Sequence, residues 1–224
     1  RMTRGPSALR VFGVAGSARR PLPAARGLTC AAIAAAALWA PAADAAPTPP
    51  GLAKLVSGRV GVAFGPPGRP PTVVGDLRSG PAWSTMKVPV AIAVSRRNGG
   101  TATNDMTAAI TRSDNAAAMA LWSSLGRPSR AGALSRRVLV DGGDRTTVVQ
   151  TRVVRSGFTP FGQTDWSLAA QQTFAQHLPC VRRAAPVVRL MGQIDSSQRW
   201  GLGTVGRDQR FKAGWGPDTR GRYL

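Results

Sequence analysis

Apolar and polar positions alternate from Gly58 to Gly65, through Arg59-Val60-Gly61-Val62-Ala63-Phe64, and the run ends in the turn sequence Gly65-Pro66-Pro67-Gly68. A period of two over that length predicts a short strand, and Thr72-Val73-Val74 predicts a second one pairing back on it. From Ser84 the period changes: Met86, Val88, Val90, Ala91 and Val94 share one face at helical spacing, and the pattern stops at Asn98-Gly99-Gly100. Pro89 is compatible only with the first turn of this helix, because deeper in it would remove a needed N–H and clash with the turn before it. The helix therefore starts close to Ser84 or Thr85. Asn115 to Leu125 predicts a further helix ended by Gly126-Arg127-Pro128, Ser167 to Leu178 another with Thr164 or Asp165 as its cap, and Val187 to Ile194 a third. Arg210-Phe211-Lys212-Ala213-Gly214-Trp215 predicts a late strand. With no internal repeat, the pattern describes one α/β (α+β) domain with a mostly antiparallel sheet.

Ahead of the first strand the chain has a different character. Arg1, Arg4, Arg10, Arg19, Arg20 and Arg26 precede the apolar run Gly27 to Pro41 with no acidic residue among them, and Ala43-Asp44-Ala45 offers small residues for a processing peptidase. This predicts a signal peptide over residues 1–45, a linker and short N-terminal segment over 46–57, and the folded domain over 58–224. The apolar run is too short for a stable membrane-spanning helix, so no integral membrane segment is expected. The expected product is secreted or extracytoplasmic, cleaved near Ala45. Cys30 would leave with the leader, so Cys180 would stand alone and no internal disulfide is expected.

Composition narrows the chemistry. All ten acidic residues are Asp, which excludes a Glu general base or a Glu metal ligand. His177 is the only histidine, and with two cysteines the chain offers no plausible zinc ligand set, so neither a metal nor another cofactor is expected. Thirty basic residues against ten acidic ones leave a formal charge of +20. The arginines are dispersed, as in Arg96-Arg97, Arg136-Arg137 and Arg182-Arg183, without the basic stripe and interleaved aromatics of a nucleic-acid site. No nucleic-acid partner is expected; the favoured reading is a solvated face built under an arginine-favouring coding bias, with attraction to an anionic cell envelope as the lesser alternative. Gly201-Leu202-Gly203-Thr204-Val205-Gly206 matches a dinucleotide-binding pattern literally, but it does not lie between a strand and a helix.

Three short motifs remain, in order: Ser84-Thr85-Met86-Lys87, Ser113-Asp114-Asn115 and Lys212-Ala213-Gly214. By chance the three together are expected fewer than about 0.001 times in such a chain. A Ser and a Lys three apart at a helix start share a face, near the positive end of the helix dipole. A lysine whose pKa is lowered by burial or a second cation can deprotonate a serine. The set resembles that of the penicillin-recognising serine hydrolases, which include class A β-lactamases and D-alanyl-D-alanine peptidases. Ile110 to Ala118 and Leu125-Gly126-Arg127-Pro128 resemble the corresponding class A segments, and the resemblance spans roughly Arg59 to Leu224.

The resemblance implies a β-lactamase/transpeptidase-like fold with helices flanking the sheet, and an acyl-enzyme on Ser84 formed with a β-lactam or a peptidoglycan-type peptide amide. Lys87 would act as base, Ser113 as proton relay and Lys212 as the second cation, with Asn115, Ala213, Gly214 and Trp215 contacting substrate. Backbone N–H groups of Ser84 and Trp215 would form the oxyanion hole. The departures are specific. Ala213 stands where the family usually has Thr or Ser, removing a hydroxyl that would bind a substrate carboxylate. The Glu with which class A enzymes deacylate is absent, and only Asp165 lies in the similar stretch. The short interval from Lys87 to Ser113 implies a reduced helical subdomain. The family continues through further strands and a C-terminal helix beyond Gly214, so a truncated domain with an unpartnered last strand is expected. The alternative reading is a catalytically degenerate envelope-binding domain on the same fold.

Overall fold

A computed structural model of the chain describes residues 10–14, 59–204 and 208–217. Most of the expected leader and all of the expected linker, 46–57, lie outside the described residues. The elements in order are β1 Arg10–Val14, β2 Gly61–Phe64, β3 Thr72–Gly75, α1 Lys87–Arg97, α2 Asn104–Thr111, α3 Asn115–Ser124, α4 Pro128–Asp141, α5 Leu168–His177, α6 Ala185–Met191 and β4 Arg210–Gly214. No helix among them is long and apolar enough to cross a membrane.

The strands form two antiparallel pairs. In the first, β2 runs against β3, from Gly61 opposite Gly75 to Phe64 opposite Thr72, as their alternation predicts. In the second, β1 runs against β4, with Phe12 opposite Lys212 and Val11 opposite Ala213. This corrects the expectation of an unpartnered last strand: β4 has a neighbour, drawn from the segment expected to be a leader. Its backbone N–H and C=O groups need partners when the strand is this buried, and Arg10–Val14 supplies them.

The core is made by α1. A 3-10 turn, Trp83–Met86, leads directly into it, so Pro89 falls in the first turn of the α-helix, where its missing N–H costs nothing. Val88, Val90, Ala91 and Ile92 are fully buried and the helix packs against α3, α4 and α6. Burying each such larger side chain contributes about 1.5–3 kcal/mol before the entropy of ordering it is subtracted. Two helices were not anticipated from the pattern. The first, α2, is capped by Thr103, whose side chain accepts from Met106 N at 3.2 Å. The second, α4, starts with Pro128 at its first position and buries Ala131, Ser135, Val138 and Leu139 along one stripe.

The cap of α5 also differs from expectation. Ser167 caps it, accepting from Ala170 N, while Thr164 Oγ1 accepts from Gln150 N and the Asp165 carboxylate is bound by the Ser79 hydroxyl at 2.6 and 2.7 Å. Ahead of α5, Asp144 is 2% exposed and accepts from Thr146 N, Thr147 N and Trp166 Nε1, which ties the turn after α4 to a fully buried indole.

Candidate active site

Ser84 lies in the 3-10 turn and is half-buried; Lys87, three residues on, is the first residue of α1 and only 1% exposed. Asp114 caps α3 by accepting from Ala117 N at 2.8 Å, which sets Ser113 just ahead of the helix and Asn115 at its first position. Lys212 projects from β4 and is likewise 1% exposed. Three distant pieces of chain therefore deliver their side chains to one place.

There the hydrogen bonds converge on Ser113. Lys87 Nζ donates to the Ser113 carbonyl at 2.5 Å and to Asn115 Oδ1 at 2.7 Å, and approaches Ser113 Oγ at 3.3 Å. From the other side Lys212 Nζ donates to Ser113 Oγ at 2.8 Å and to the Ala213 carbonyl at 2.9 Å. The Ser113 hydroxyl sits between two amines, and its backbone is in the left-handed region, at φ 58°. A non-glycine residue there costs on the order of 1–3 kcal/mol, sustained by the surrounding packing. Trp83, immediately before Ser84, has φ 48°.

No carboxylate salt-bridges either lysine among the described residues. Burial pushes Lys87 down to about 8, partly offset by the Asp114 carboxylate. Burial, with the neighbouring charge of Lys87, pushes Lys212 down to about 7. Both amines therefore lose their protons close to neutral pH, which an arginine could not do. The chain has only three lysines, Lys54, Lys87 and Lys212, and its other basic residues are arginines. Two of these three lysines meet at Ser113, and their rarity in an arginine-rich chain was a usable signal in the sequence.

Gly214 holds β4 against the turn bearing Ser84. A Cβ placed on it would lie 2.9 Å from Ser84 N and 3.0 Å from Ala82 O and Thr85 N, so only glycine lets the strand come this close. Ala213 is 3% exposed, and its side chain is not among those lining the cavity beside Ser84. That cavity, about 440 Å³, brings together Ser84, Asn115 and Trp215. It also takes Trp83, Met119, Val153, Phe158 and Thr159, none of which the sequence pattern pointed to. Its wall is braced by Arg155, whose guanidinium lies 5.0 Å from the Phe158 ring and 5.6 Å from the Trp83 ring while donating to the Pro217 carbonyl at 2.6 Å. Trp200 meets Trp215 edge-on at 5.6 Å, whereas Trp122 and Trp166 are core residues. His177 stands apart, at the exposed end of α5, with Nδ1 2.8 Å from the Thr173 carbonyl.

No family model matches the chain, and no curated protein sequence matches it. Its backbone is similar to solved class A β-lactamases. One is a variant of the last common ancestor of the Gram-negative class A enzymes, 20% identical, covering 72% of this chain and 74% of that one at a TM-score of 0.49. Another is a putative class A β-lactamase from Rhodopseudomonas palustris, 18% identical, covering 62% of this chain and 67% of that one at a TM-score of 0.44.

Proposed function

We propose that the protein is a serine acyl hydrolase that forms an acyl-enzyme on Ser84, with the amide of a β-lactam or of a D-Ala-D-Ala-type peptide as the substrate suggested by its motifs. The observation that carries this is the pair of buried amines bracketing Ser113 Oγ at 2.8 and 3.3 Å, with Ser84 three residues before one of them at the mouth of a cavity.

In this reading the neutral Lys87 amine takes the Ser84 proton as Oγ forms a bond to the substrate carbonyl carbon. The developing oxyanion is met by the backbone N–H groups of Ser84 and Trp215. Collapse breaks the bond to the leaving nitrogen, which takes a proton from Ser113 Oγ; Ser113 is reprotonated by the neighbouring ammonium. Water then cleaves the acyl-enzyme, adding OH to the acyl carbon and returning a proton to Ser84. The chain contains no Glu, so this water is not activated by one. Asp165, held by Ser79, lies outside the cavity lining, and in this reading it has no part in the step. Export with cleavage near Ala45 belongs to the same reading and would remove β1 from beside β4.

The test is intact-protein mass spectrometry after incubation with a penicillin, on wild type and Ser84→Ala. An adduct of the drug's mass on the wild type alone supports the reading. Folded wild type that gains no mass from a penicillin or from an active ester would sink it and favour the envelope-binding alternative.

A further inference from the structure

The cavity beside Ser84 is walled by Trp83, Met119, Val153, Phe158 and Trp215, and among the described residues its lining includes no charged side chain. Its side-chain hydroxyl and amide groups come from Ser84, Asn115 and Thr159, beside the indole rings of Trp83 and Trp215 with their single N–H donors. Trp215 is 39% exposed and Val153 57% exposed, so apolar surface stands open to solvent at the rim, as at a site completed by an apolar ligand.

The cations nearby are already engaged. Lys87 and Lys212 are both 1% exposed and donate to Ser113, Asn115 and the Ala213 carbonyl. Lys87 as the base has to be uncharged, and an uncharged amine is a poor anchor for a carboxylate, while Lys212 is held by Ser113 Oγ and the Ala213 carbonyl. Arg155 faces two aromatic rings and the Pro217 carbonyl. A carboxylate entering the cavity would lose hydration without meeting a lining cation.

We infer that the acyl half of the substrate is uncharged and carries an aromatic or branched apolar group, held in this cavity by apolar contact and not through a carboxylate. The inference rests on Ser84 being the nucleophile and adds to that reading the class of acyl group transferred.

The test compares two active esters of matched leaving group, 4-nitrophenyl phenylacetate and the anionic 4-nitrophenyl hydrogen glutarate, each corrected for its uncatalysed rate. A fluorophosphonate, which labels activated serines whatever the acyl preference, is read in parallel by mass on wild type and Ser84→Ala. The expected result is Ser84-dependent labelling with kcat/KM at least about tenfold higher for the phenylacetate. Val153→Lys, at a surface position, should move that ratio several-fold toward the anionic ester. Equal rates, or a preference for the glutarate, with Ser84 still labelled would overturn the inference and leave the nucleophile in place. An unchanged ratio in Val153→Lys overturns the assignment of the acyl group to this cavity. Folded protein with neither labelling nor Ser84-dependent turnover overturns both the nucleophile and the inference.

Discussion

Ser113 and Lys212 are 99 residues apart in the chain and are joined by a 2.8 Å hydrogen bond from Nζ to Oγ. The bond puts a loop serine and a strand lysine into one hydrogen-bonded cluster with Lys87. It also leaves a buried amine with no carboxylate salt bridge among the described residues, and several consequences can be measured.

The first concerns stability. Lys212 titrates at about 7 in the folded chain against an ordinary 10.5, so between these values the unfolded chain binds more protons. Stability of the wild type therefore rises as pH increases through this window, and the penalty is fully present below it. Lys212→Met should flatten that rise, by up to a few kcal/mol between pH 6 and pH 10. Urea melts at the two pH values check it; an equal slope in both proteins would contradict it.

A second prediction follows from the charge of Asp114, which raises the pKa of Lys87 against the effect of burial. A general base acts only when neutral, so the rate should climb as pH passes upward through the pKa of Lys87, near 8. Asp114→Asn keeps a good helix cap and removes the anion. The ammonium is then less favoured, and the acid limb of the kcat/KM profile should move to lower pH. A limb that stays in place would mean that Lys87 is not the titrating base.

Gly214→Ala tests the close approach of β4. The added methyl would meet three backbone atoms at 2.9 to 3.0 Å, and backbone cannot swing aside as a flexible side chain can. The expected cost is about 1–3 kcal/mol in stability with at least about a tenfold loss of Ser84 acylation. Denaturant midpoints and active-ester burst kinetics give the two numbers.

Asp144 offers a prediction away from the site. Replacing it with Ala leaves Trp166 Nε1 and the Thr147 amide without this acceptor in the interior, and the exposed Thr146 without it at the surface. A loss of about 2–4 kcal/mol is expected. Activity at a temperature where the variant remains folded should be little changed, since none of these residues lines the cavity.

Much of the fold was legible because local rules govern it. The alternation before Phe64, the single helical face after Ser84 and the Asp114 position each work within a few residues, and β2, β3, α1, α3 and β4 appear close to where the pattern places them. The failures have equally local causes. Pro128 reads as the end of α3, yet proline is equally suited to the first position of a helix, and α4 begins on it. In α2 only Met106 and Ile110 supply large apolar side chains, too few to establish a period. The stretch containing Val153, Arg155, Phe158 and Thr159 has no periodicity at all, so the cavity wall had no sequence signature.

By itself the sequence determined which residues make up the candidate site. Ser84, Lys87, Ser113, Asn115 and Lys212 stand out from type and spacing, and the absence of glutamate from the chain is read without any coordinates. Tertiary structure alone decided how these groups act on one another. Burial by the packed helices strips water from two amines and lowers their pKa values, a strand from the N-terminal segment occupies one edge of β4, and a cavity with no charged lining among the described residues opens beside Ser84. The division has one physical cause: motif and helix patterning are properties of neighbouring residues, whereas desolvation, long-range hydrogen bonding and cavity shape arise only when distant segments pack together.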